Sequence, residues 1–219
     1  MTKLNYALAI FDMDGTILNT LEDLTLATNA AMAAQGMPLH TEDEVRRMVG
    51  NGIRRLVERA VPPGTPPAAV EDTLTAFNEF YAAHCADHTG PYPGIPELLT
   101  TLRQAGVRTA VVSNKADYGV QALCRRYFPG QFDVAVGQRD GIRMKPAPDA
   151  VRAVLETLEI PPERAVFVGD SDVDVQTAQN AGLPCLGVDW GFRERRVLEQ
   201  AGAAAVLSDA VALRQAILG

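Results

Sequence analysis

The stretch YALAIFDMDGTILNT, Tyr6 to Thr20, indicates the fold class. It runs through apolar residues, meets two acids at Asp12 and Asp14, and then turns at Gly15. A short, continuously apolar run of this kind is typical of a strand that is buried on both faces of a parallel sheet. Because ligands bind at the carboxyl ends of such strands, a strand that ends on two carboxylates predicts a functional site there.

The composition sets limits on what the chain can bind. The chain has 219 residues, of which 47% are hydrophobic, so it can bury a sizeable core. The formal net charge of -7 disfavours binding to nucleic acid or to an anionic membrane, both of which require clustered Lys and Arg. The N-terminal sequence MTKLNYALAIFD has no apolar run long enough for a signal peptide or a membrane span, which argues for the cytoplasm.

Strand-like and helix-like segments alternate through most of the chain. This alternation predicts a doubly wound, Rossmann-like parallel α/β sheet. The predicted strands are Ala7–Phe11, Arg108–Ser113, Phe132–Val136, Ala165–Gly169 and Pro184–Val188, with an edge strand within Ala204–Asp209 and a last helix after it. The predicted helices between the strands are Ile95–Gln104, Pro148–Leu158 and Asp172–Ala181.

Residues 17–90 interrupt this pattern, because they contain no strand-like run and are much longer than a crossover helix requires. We therefore predict two domains, an α/β core of residues 1–16 and 91–219 and an inserted helical domain of residues 17–90. A capping box, Thr41-x-x-Glu44, marks one helix start in the insert. The predicted helices of the insert are Leu21–Gln35, Thr41–Met48, Ile53–Ala60 and Ala68–Ala86.

Polar residues follow the predicted strands at one edge of the sheet. Asp12, Ser113-Asn114 and Asp170 each end a strand, and Asp174 is four residues further along a helical segment. Like charges this close raise one another's pKa unless a cation lies among them, and oxygen ligands suit Mg²⁺. The carboxylates expected to converge are Asp12, Asp14, Asp170 and Asp174.

These residues resemble the motifs of the haloacid dehalogenase superfamily of phosphatases. The matching motifs are Asp12-Met13-Asp14-Gly15-Thr16, Ser113-Asn114, Lys145 and Gly169–Asp174, in the family's order. Within the superfamily, VGNGIRRLVERA (Val49 to Ala60), SNK (Ser113 to Lys115), KPAPD (Lys145 to Asp149) and VDWGF (Val188 to Phe192) are similar to the phosphoglycolate phosphatase branch. The resemblance implies that the helical insert is a cap domain.

The resemblance also implies a role for each residue at the sheet edge. Asp12 is the nucleophile that forms an acyl phosphate, and Asp14 is the general acid and base. Ser113, the backbone N–H of Asn114, and Lys145 hold the phosphoryl oxygens, and Thr16 belongs to the substrate-binding set. The Mg²⁺ ligands are the carboxylate of Asp12, the backbone carbonyl of Asp14 and the carboxylate of Asp170, with Asp174 in or near the second coordination shell. From the residues alone, Ser113 and Asn114 could equally cap the next helix.

Substrate selection is expected to come from the cap. Gly50-Asn51-Gly52 can form a tight loop that binds an anion, with Arg54 or Arg55 close by. The resemblance implies 2-phosphoglycolate, whose carboxylate this loop would bind, and Lys115 is a second candidate for that carboxylate. The alternative for the arginines is a solvent-facing position, paired with Glu58 or Glu44.

Other functions remain open at this point. They are a broad sugar phosphatase, a pyrophosphatase, a sugar phosphomutase of the same superfamily, and a binding module with an inactive site. The expected partner is a small phosphate ester, and the chain is expected to be a monomer or a homodimer.

Overall fold

The structure is a computed structural model that describes residues 5–219, and the chain divides into two compact units. One unit consists of two segments of the chain, the first of which ends at Leu18 and the second of which is Pro91–Gly219. The other unit is Asn19–Gly90. The strands are β1 (Leu8–Phe11), β2 (Leu18–Asn19), β3 (Gly90–Pro91), β4 (Arg108–Ala116), β5 (Val134–Gln138), β6 (Ala165–Gly169), β7 (Cys185–Val188) and β8 (Ala205–Leu207).

A six-stranded sheet in the order β5-β4-β1-β6-β7-β8 forms the centre of the first unit, and its neighbouring strands run parallel. The strand β1 is central, and Ile10 lies opposite Ala110 on one side and Phe167 on the other. This confirms the predicted doubly wound parallel α/β sheet. The helices of this unit are α5 (Ile95–Gln104), α6 (Asp117–Tyr127), α7 (Asp149–Leu158), α8 (Asp172–Ala181), α9 (Arg195–Ala201) and α10 (Ala210–Leu218), with a 3₁₀ turn at Pro162–Arg164.

Burial of β1 explains why its sequence is continuously apolar. All four of its residues are fully buried, because helices can cover both faces of a parallel sheet. The core cluster on one face joins Leu8 and Ile10 to Val151 and Val154 of α7 and to Phe167 of β6. These contacts fix β1 rigidly, and with it the residues that follow its carboxyl end.

The second unit, Asn19–Gly90, is helical. Thr41 caps the second helix of this unit, and the predicted capping box between Thr41 and Glu44 is confirmed. Phe77 and Tyr81 stack with ring centroids 5.4 Å apart within the buried part of this unit. Its helices are α1 (Leu21–Ala34), α2 (Glu42–Met48), α3 (Gly52–Ala60) and α4 (Pro67–His84).

No helix within residues 5–219 has both the length and the apolar character needed to cross a membrane.

Candidate active site

Three carboxylates converge at the carboxyl edge of the sheet. Asp12 directly follows β1, and Asp170 directly follows the neighbouring strand β6. Asp174 lies in the first turn of α8. Carboxylate oxygens of these three residues lie within 4.8 Å of one another, and all three side chains are buried. The sheet therefore gathers residues that are more than 150 positions apart in the sequence into one acidic cluster.

Asp14 is not one of the three carboxylates that lie within 4.8 Å of one another, although its charge contributes to the raised pKa of Asp12. Oδ1 of Asp14 accepts a hydrogen bond from Nζ of Lys115 at 3.0 Å, and the Lys115 side chain is almost fully buried. The physical reason is charge: Asp14 lies in the turn after β1, where a buried cation is within reach. Lys115, proposed from the sequence as a ligand for a substrate carboxylate, is thus placed beside the expected general acid.

Lys145 is the cation of the acidic cluster. Its Nζ lies 2.8 Å from Oδ1 of Asp12 and 2.7 Å from Oδ1 of Asp174, and its side chain is only 3% exposed. Asn114 holds the backbone of this lysine, because Asn114 Oδ1 accepts from Lys145 N at 2.7 Å and Asn114 Nδ2 donates to Lys145 O at 3.1 Å.

The alternative that Ser113 and Asn114 cap the next helix is wrong. Ala116 occupies the N-cap of α6, and no side chain makes a capping hydrogen bond there. Both residues instead lie within β4, which extends to Ala116, and the Ser113 hydroxyl accepts from Lys115 N at 3.3 Å. Neither side chain is therefore committed to a helix start, and that of Asn114 instead binds the Lys145 backbone.

Asp174 is oriented by a capping box at the start of α8. Its Oδ2 accepts from Ser171 N at 3.0 Å and from the Ser171 hydroxyl at 2.6 Å. Since Lys145 occupies Oδ1, both oxygens of Asp174 already have protein partners. Asp170 precedes the N-cap residue Ser171 and lies outside α8. Asp170 and Asp174 therefore approach each other across the start of the helix and do not lie on one helix face.

Asp170 is held by two hydrogen bonds from different loops. The Thr16 hydroxyl donates to Oδ1 at 3.0 Å, and the backbone N–H of Phe192 donates to Oδ2 at 2.7 Å. Thr16 is almost fully buried, and this bond gives its hydroxyl a partner other than a substrate. A Cβ at Gly15 or at Gly191 would overlap the Asp170 side chain, so both positions require glycine. The glycines allow two loops to close on one carboxylate.

Burial dominates the electrostatics of the cluster. It raises the pKa of Asp12 to about 7, with Asp174 adding to the rise and Lys145 opposing it. Burial also raises the pKa of Asp170 to about 8, helped by the charges of Asp174 and Asp12. Burial alone would lower the pKa of Lys145, but the two carboxylates beside it outweigh this and raise it.

The donor set fits a divalent cation. Three buried carboxylates are opposed by one lysine, whose Nζ contacts Asp12 and Asp174, and this leaves an excess of negative charge. All the candidate ligand atoms are oxygens, which suits Mg²⁺. Asp12 and Asp170, which directly follow neighbouring strands, are the candidates to hold it, and Asp174 contacts Lys145 through one oxygen and Ser171 through the other.

The cap residues singled out in the sequence lie in the helical unit and interact within it. Gly50 and Gly52 both have positive φ angles, 122° and 81°. Arg59 donates to the Asn51 side chain at 2.7 Å and to the backbone carbonyl of Met48 at 2.6 Å, so it supports this loop.

The two candidate arginines are exposed and paired with glutamates. Arg54 makes a double hydrogen bond to Glu71, at 2.6 and 3.0 Å. Arg55 pairs with Glu58 at 2.7 Å. The alternative of a solvent-exposed pair is therefore correct for Arg55 with Glu58, and the partner of Arg54 is Glu71 and not Glu44.

Sequence reasoning included residues 189–192 in the family resemblance but assigned them no part in the site. Phe192 N–H binds Asp170, and the indole Nε1 of Trp190 donates to the backbone carbonyl of Thr16 at 3.0 Å. The signal was available, because these residues follow β7, whose carboxyl end lies at the same edge as those of β1 and β6. Ligands bind at the carboxyl ends of parallel strands, and this rule applies to the loop after β7 as it does to Asp12 and Asp170.

A family model described as haloacid dehalogenase-like hydrolase matches residues 9–188. The chain belongs to this family. The match includes the four superfamily motifs, from Asp12 to Asp174, and it extends through β7. The family expectation is therefore confirmed.

Several known proteins of this family are similar to the chain. Phosphoglycolate phosphatase of Pseudomonas putida is 34% identical over 211 residues, which are 94% of this chain and 78% of the relative. N-acetylmuramic acid 6-phosphate phosphatase of Pseudomonas aeruginosa is 33% identical, over 88% of this chain and 85% of the relative. A crystal structure described as a phosphoglycolate phosphatase of Lactobacillus delbrueckii has a TM-score of 0.94 and 39% identity, and covers 98% of this chain and 99% of that one.

Proposed function

We propose that this hydrolase cleaves the phosphate monoester bond of 2-phosphoglycolate through an aspartyl-phosphate intermediate on Asp12. The observation that carries the proposal is the placement of Asp12, a buried carboxylate at the end of β1 with Lys145 Nζ 2.8 Å away. A carboxylate that attacks a phosphoryl group forms a mixed anhydride, which water can later cleave. One difficult step is thereby divided into two easier ones.

The residues around Asp12 supply the other parts of the reaction. Asp14, two residues beyond the nucleophile, gives a proton to the leaving alcohol and later takes one from water. The Ser113 hydroxyl, the Asn114 backbone N–H and Lys145 bind the phosphoryl oxygens and neutralise their charge. Asn114 also fixes the Lys145 backbone through two hydrogen bonds, so that the lysine is held in place before substrate arrives.

Mg²⁺ is the proposed cofactor, held by the carboxylates of Asp12 and Asp170 with the backbone carbonyl of Asp14. When bound, it supplies positive charge that favours the ionised nucleophile and neutralises the phosphoryl group. Asp174, whose two oxygens contact Lys145 and Ser171, keeps that lysine oriented. Chelation is expected to abolish activity and Mg²⁺ to restore it, whereas Ca²⁺ should inhibit because its coordination shell is larger and looser.

The carboxylate of the substrate is proposed to be recognised by a cationic side chain. Lys115 is the candidate in the sheet unit, because its buried Nζ already binds a carboxylate, that of Asp14. Arg54 and Arg55 are the candidates in the helical unit, which we propose acts as a cap that closes over substrate and excludes water. Either arginine would have to exchange Glu71 or Glu58 for the substrate carboxylate.

The test is the ratio of kcat/KM for 2-phosphoglycolate to kcat/KM for a neutral ester such as ethyl phosphate, with Mg²⁺ present. The ratio cancels any general loss of catalysis. Replacement of the recognising residue by Ala should lower it by roughly 10- to 100-fold, which corresponds to a hydrogen bond between charged groups. Arg47→Ala in the helical unit serves as a control. An unchanged ratio in Lys115→Ala, Arg54→Ala and Arg55→Ala would refute carboxylate recognition.

A sugar phosphate is the second candidate substrate class. The relative that is 33% identical to this chain is named for N-acetylmuramic acid 6-phosphate, a sugar phosphate that also carries a carboxylate. Including this ester and a neutral sugar phosphate in the substrate panel separates the two classes. Release of inorganic phosphate in excess over enzyme separates hydrolysis from phosphate transfer between sugar positions, and pyrophosphate in the same panel tests for pyrophosphatase activity.

A further inference from the structure

We propose that Trp190 is a positioning residue for the metal site, acting through Thr16 and Asp170. This inference rests on the proposed function, in which Asp170 holds Mg²⁺. The resemblance includes the stretch VDWGF, Val188 to Phe192, but gives the tryptophan in it no role.

The hydrogen bonds form a closed chain between two loops. The indole Nε1 of Trp190 donates to the Thr16 carbonyl at 3.0 Å, and the Thr16 hydroxyl donates to Asp170 Oδ1 at 3.0 Å. Two residues after the tryptophan, the Phe192 N–H donates to Asp170 Oδ2 at 2.7 Å. Both oxygens of Asp170 are therefore oriented by the loop that contains Trp190, one directly and one through Thr16.

The close packing of the two loops supports this assignment. A Cβ at Gly191 would overlap both the Asp170 side chain and the Gly15 carbonyl oxygen, so the backbones meet without space for a side chain. A ligand carboxylate with two fixed hydrogen bonds loses little freedom when it binds a cation, and such supporting bonds commonly change metal affinity. The indole bond fixes the backbone on which Thr16 stands, and so fixes the donor to Oδ1.

A neighbouring aromatic ring provides the means to separate hydrogen bonding from packing. Tyr92 lies beside Trp190, with ring centroids 6.4 Å apart. Trp190→Phe removes the N–H donor and keeps an aromatic ring, whereas Tyr92→Leu removes the ring contact and keeps the indole bond. Thr16→Ser and Thr16→Val form a second pair, of which only Thr16→Val loses the hydroxyl that binds Asp170.

The measurement is the dissociation constant of Mg²⁺ by calorimetry on the full chain, without substrate, together with KM for the phosphate ester at saturating Mg²⁺. We expect Mg²⁺ binding to weaken about 3- to 10-fold in Trp190→Phe and about 10- to 100-fold in Thr16→Val. Thr16→Ser and Tyr92→Leu should stay within about two-fold of the unmodified protein. KM at saturating Mg²⁺ should not change in Trp190→Phe.

The outcomes separate this proposal from the proposed function. If Trp190→Phe binds Mg²⁺ as tightly as the unmodified protein, or if Tyr92→Leu weakens binding equally, the positioning role is wrong while the phosphatase proposal stands. If the unmodified protein does not bind Mg²⁺, the metal assignment fails, and the positioning role fails with it. Thermal unfolding of each variant shows whether it is folded before binding is measured.

Discussion

Lys145 has the most consequential electrostatic position of any single residue at the site. It is buried, and its Nζ lies within 2.8 Å of Asp12 and 2.7 Å of Asp174. Removing one partner of a buried ion pair leaves the opposite charge desolvated and uncompensated. The lysine therefore contributes to folding as well as to the proposed binding of the phosphoryl group.

Lys145→Met is expected to lower the free energy of unfolding by about 3–5 kcal/mol when no divalent cation is present. Arg143→Ala is the control, because the Arg143 side chain is 76% exposed and its pair with Asp149 is screened by solvent, so the pair contributes little to stability. Urea denaturation of both variants measures the difference. Equal stabilities for the two variants would contradict the role given to Lys145.

Residue-level prediction from the sequence succeeded where the backbone alone decides position. Asp12 and Asp170 follow adjacent strands, so their proximity follows from the strand order, and the sequence indicated it. The partner of Asp14 depends on how Lys115 packs beside it, and the partner of Arg54 depends on where Glu71 lies on another helix. Those choices arise from tertiary packing, which periodicity and spacing do not encode.

At the scale of elements, Asp23 ties the start of the helical unit to its end. It lies in the first turn of α1 and is 1% exposed. Its carboxylate accepts hydrogen bonds from the backbone N–H groups of His88 and Thr89, at 3.0 and 2.8 Å, and from the Thr89 hydroxyl at 2.7 Å. The segment that leaves the helical unit is thus fixed to the helix that enters it.

Asp23→Ala should lower the free energy of unfolding by about 1–3 kcal/mol, because it leaves the N–H and the hydroxyl of the buried Thr89 without an acceptor. Glu22→Ala is the matched control: Glu22 precedes Asp23 in the same turn, but its side chain is 58% exposed. A change of less than about 0.5 kcal/mol is expected for the control. If both variants unfold alike in urea, the buried hydrogen bonds of Asp23 do not stabilise this unit.

Asp133, just before β5, gives the sheet unit a stability that depends on pH. Burial alone would raise the pKa of Asp133, but a hydrogen bond from Thr109 N and ion pairs with Arg108 and Arg103 outweigh it and lower the pKa. A carboxylate with a lowered folded pKa stabilises the protein fully above its unfolded pKa, about 3.9. That stabilisation is lost as the pH falls from there through the folded pKa.

Asp133→Asn should therefore flatten the fall in stability as the pH drops below about 4, and should cost the most stability above that pH. Urea denaturation at several pH values measures the two slopes. Identical slopes for the variant and the unmodified protein would show that Asp133 does not contribute to acid sensitivity.

Element boundaries followed the sequence most closely where capping and apolar signals agree. The strand Ala165–Gly169 and the helices Ile95–Gln104 and Asp172–Ala181 have the predicted ends. The strand β4 runs three residues beyond its predicted end at Ser113, because Asn114 and Lys115 are buried although they are polar. The helix Asp117–Tyr127 was not predicted, since Gly119 interrupts its pattern.

At the scale of the whole molecule, the fold class and the family could be predicted from the sequence, because four motifs occur in order and three of them lie at the ends of predicted strands. The hydrogen bonds that orient Asp170 were harder to predict, since they involve Phe192 and Trp190, which follow the fifth predicted strand. The use of the helical unit as a cap stays a prediction. The central claim is that Asp12 carries the phosphoryl group during turnover.

The most direct test of that claim uses Asp14→Ala with p-nitrophenyl phosphate and Mg²⁺. This leaving group needs no proton, so Asp12 can be phosphorylated, while loss of the general base slows hydrolysis of the intermediate by a factor of ~10²–10⁴. We expect a burst of about one nitrophenolate per enzyme molecule, since one nucleophile is present. Asp12→Asn should give no burst.

Acid quenching followed by borohydride reduction then converts an aspartyl phosphate to homoserine, which peptide mass spectrometry assigns to one position. Homoserine at position 12, formed only after exposure to the phosphate ester, is the result predicted here. A burst accompanied by homoserine at another acid, or an unmodified Asp12 in the Asp14→Ala protein after its burst, would contradict it.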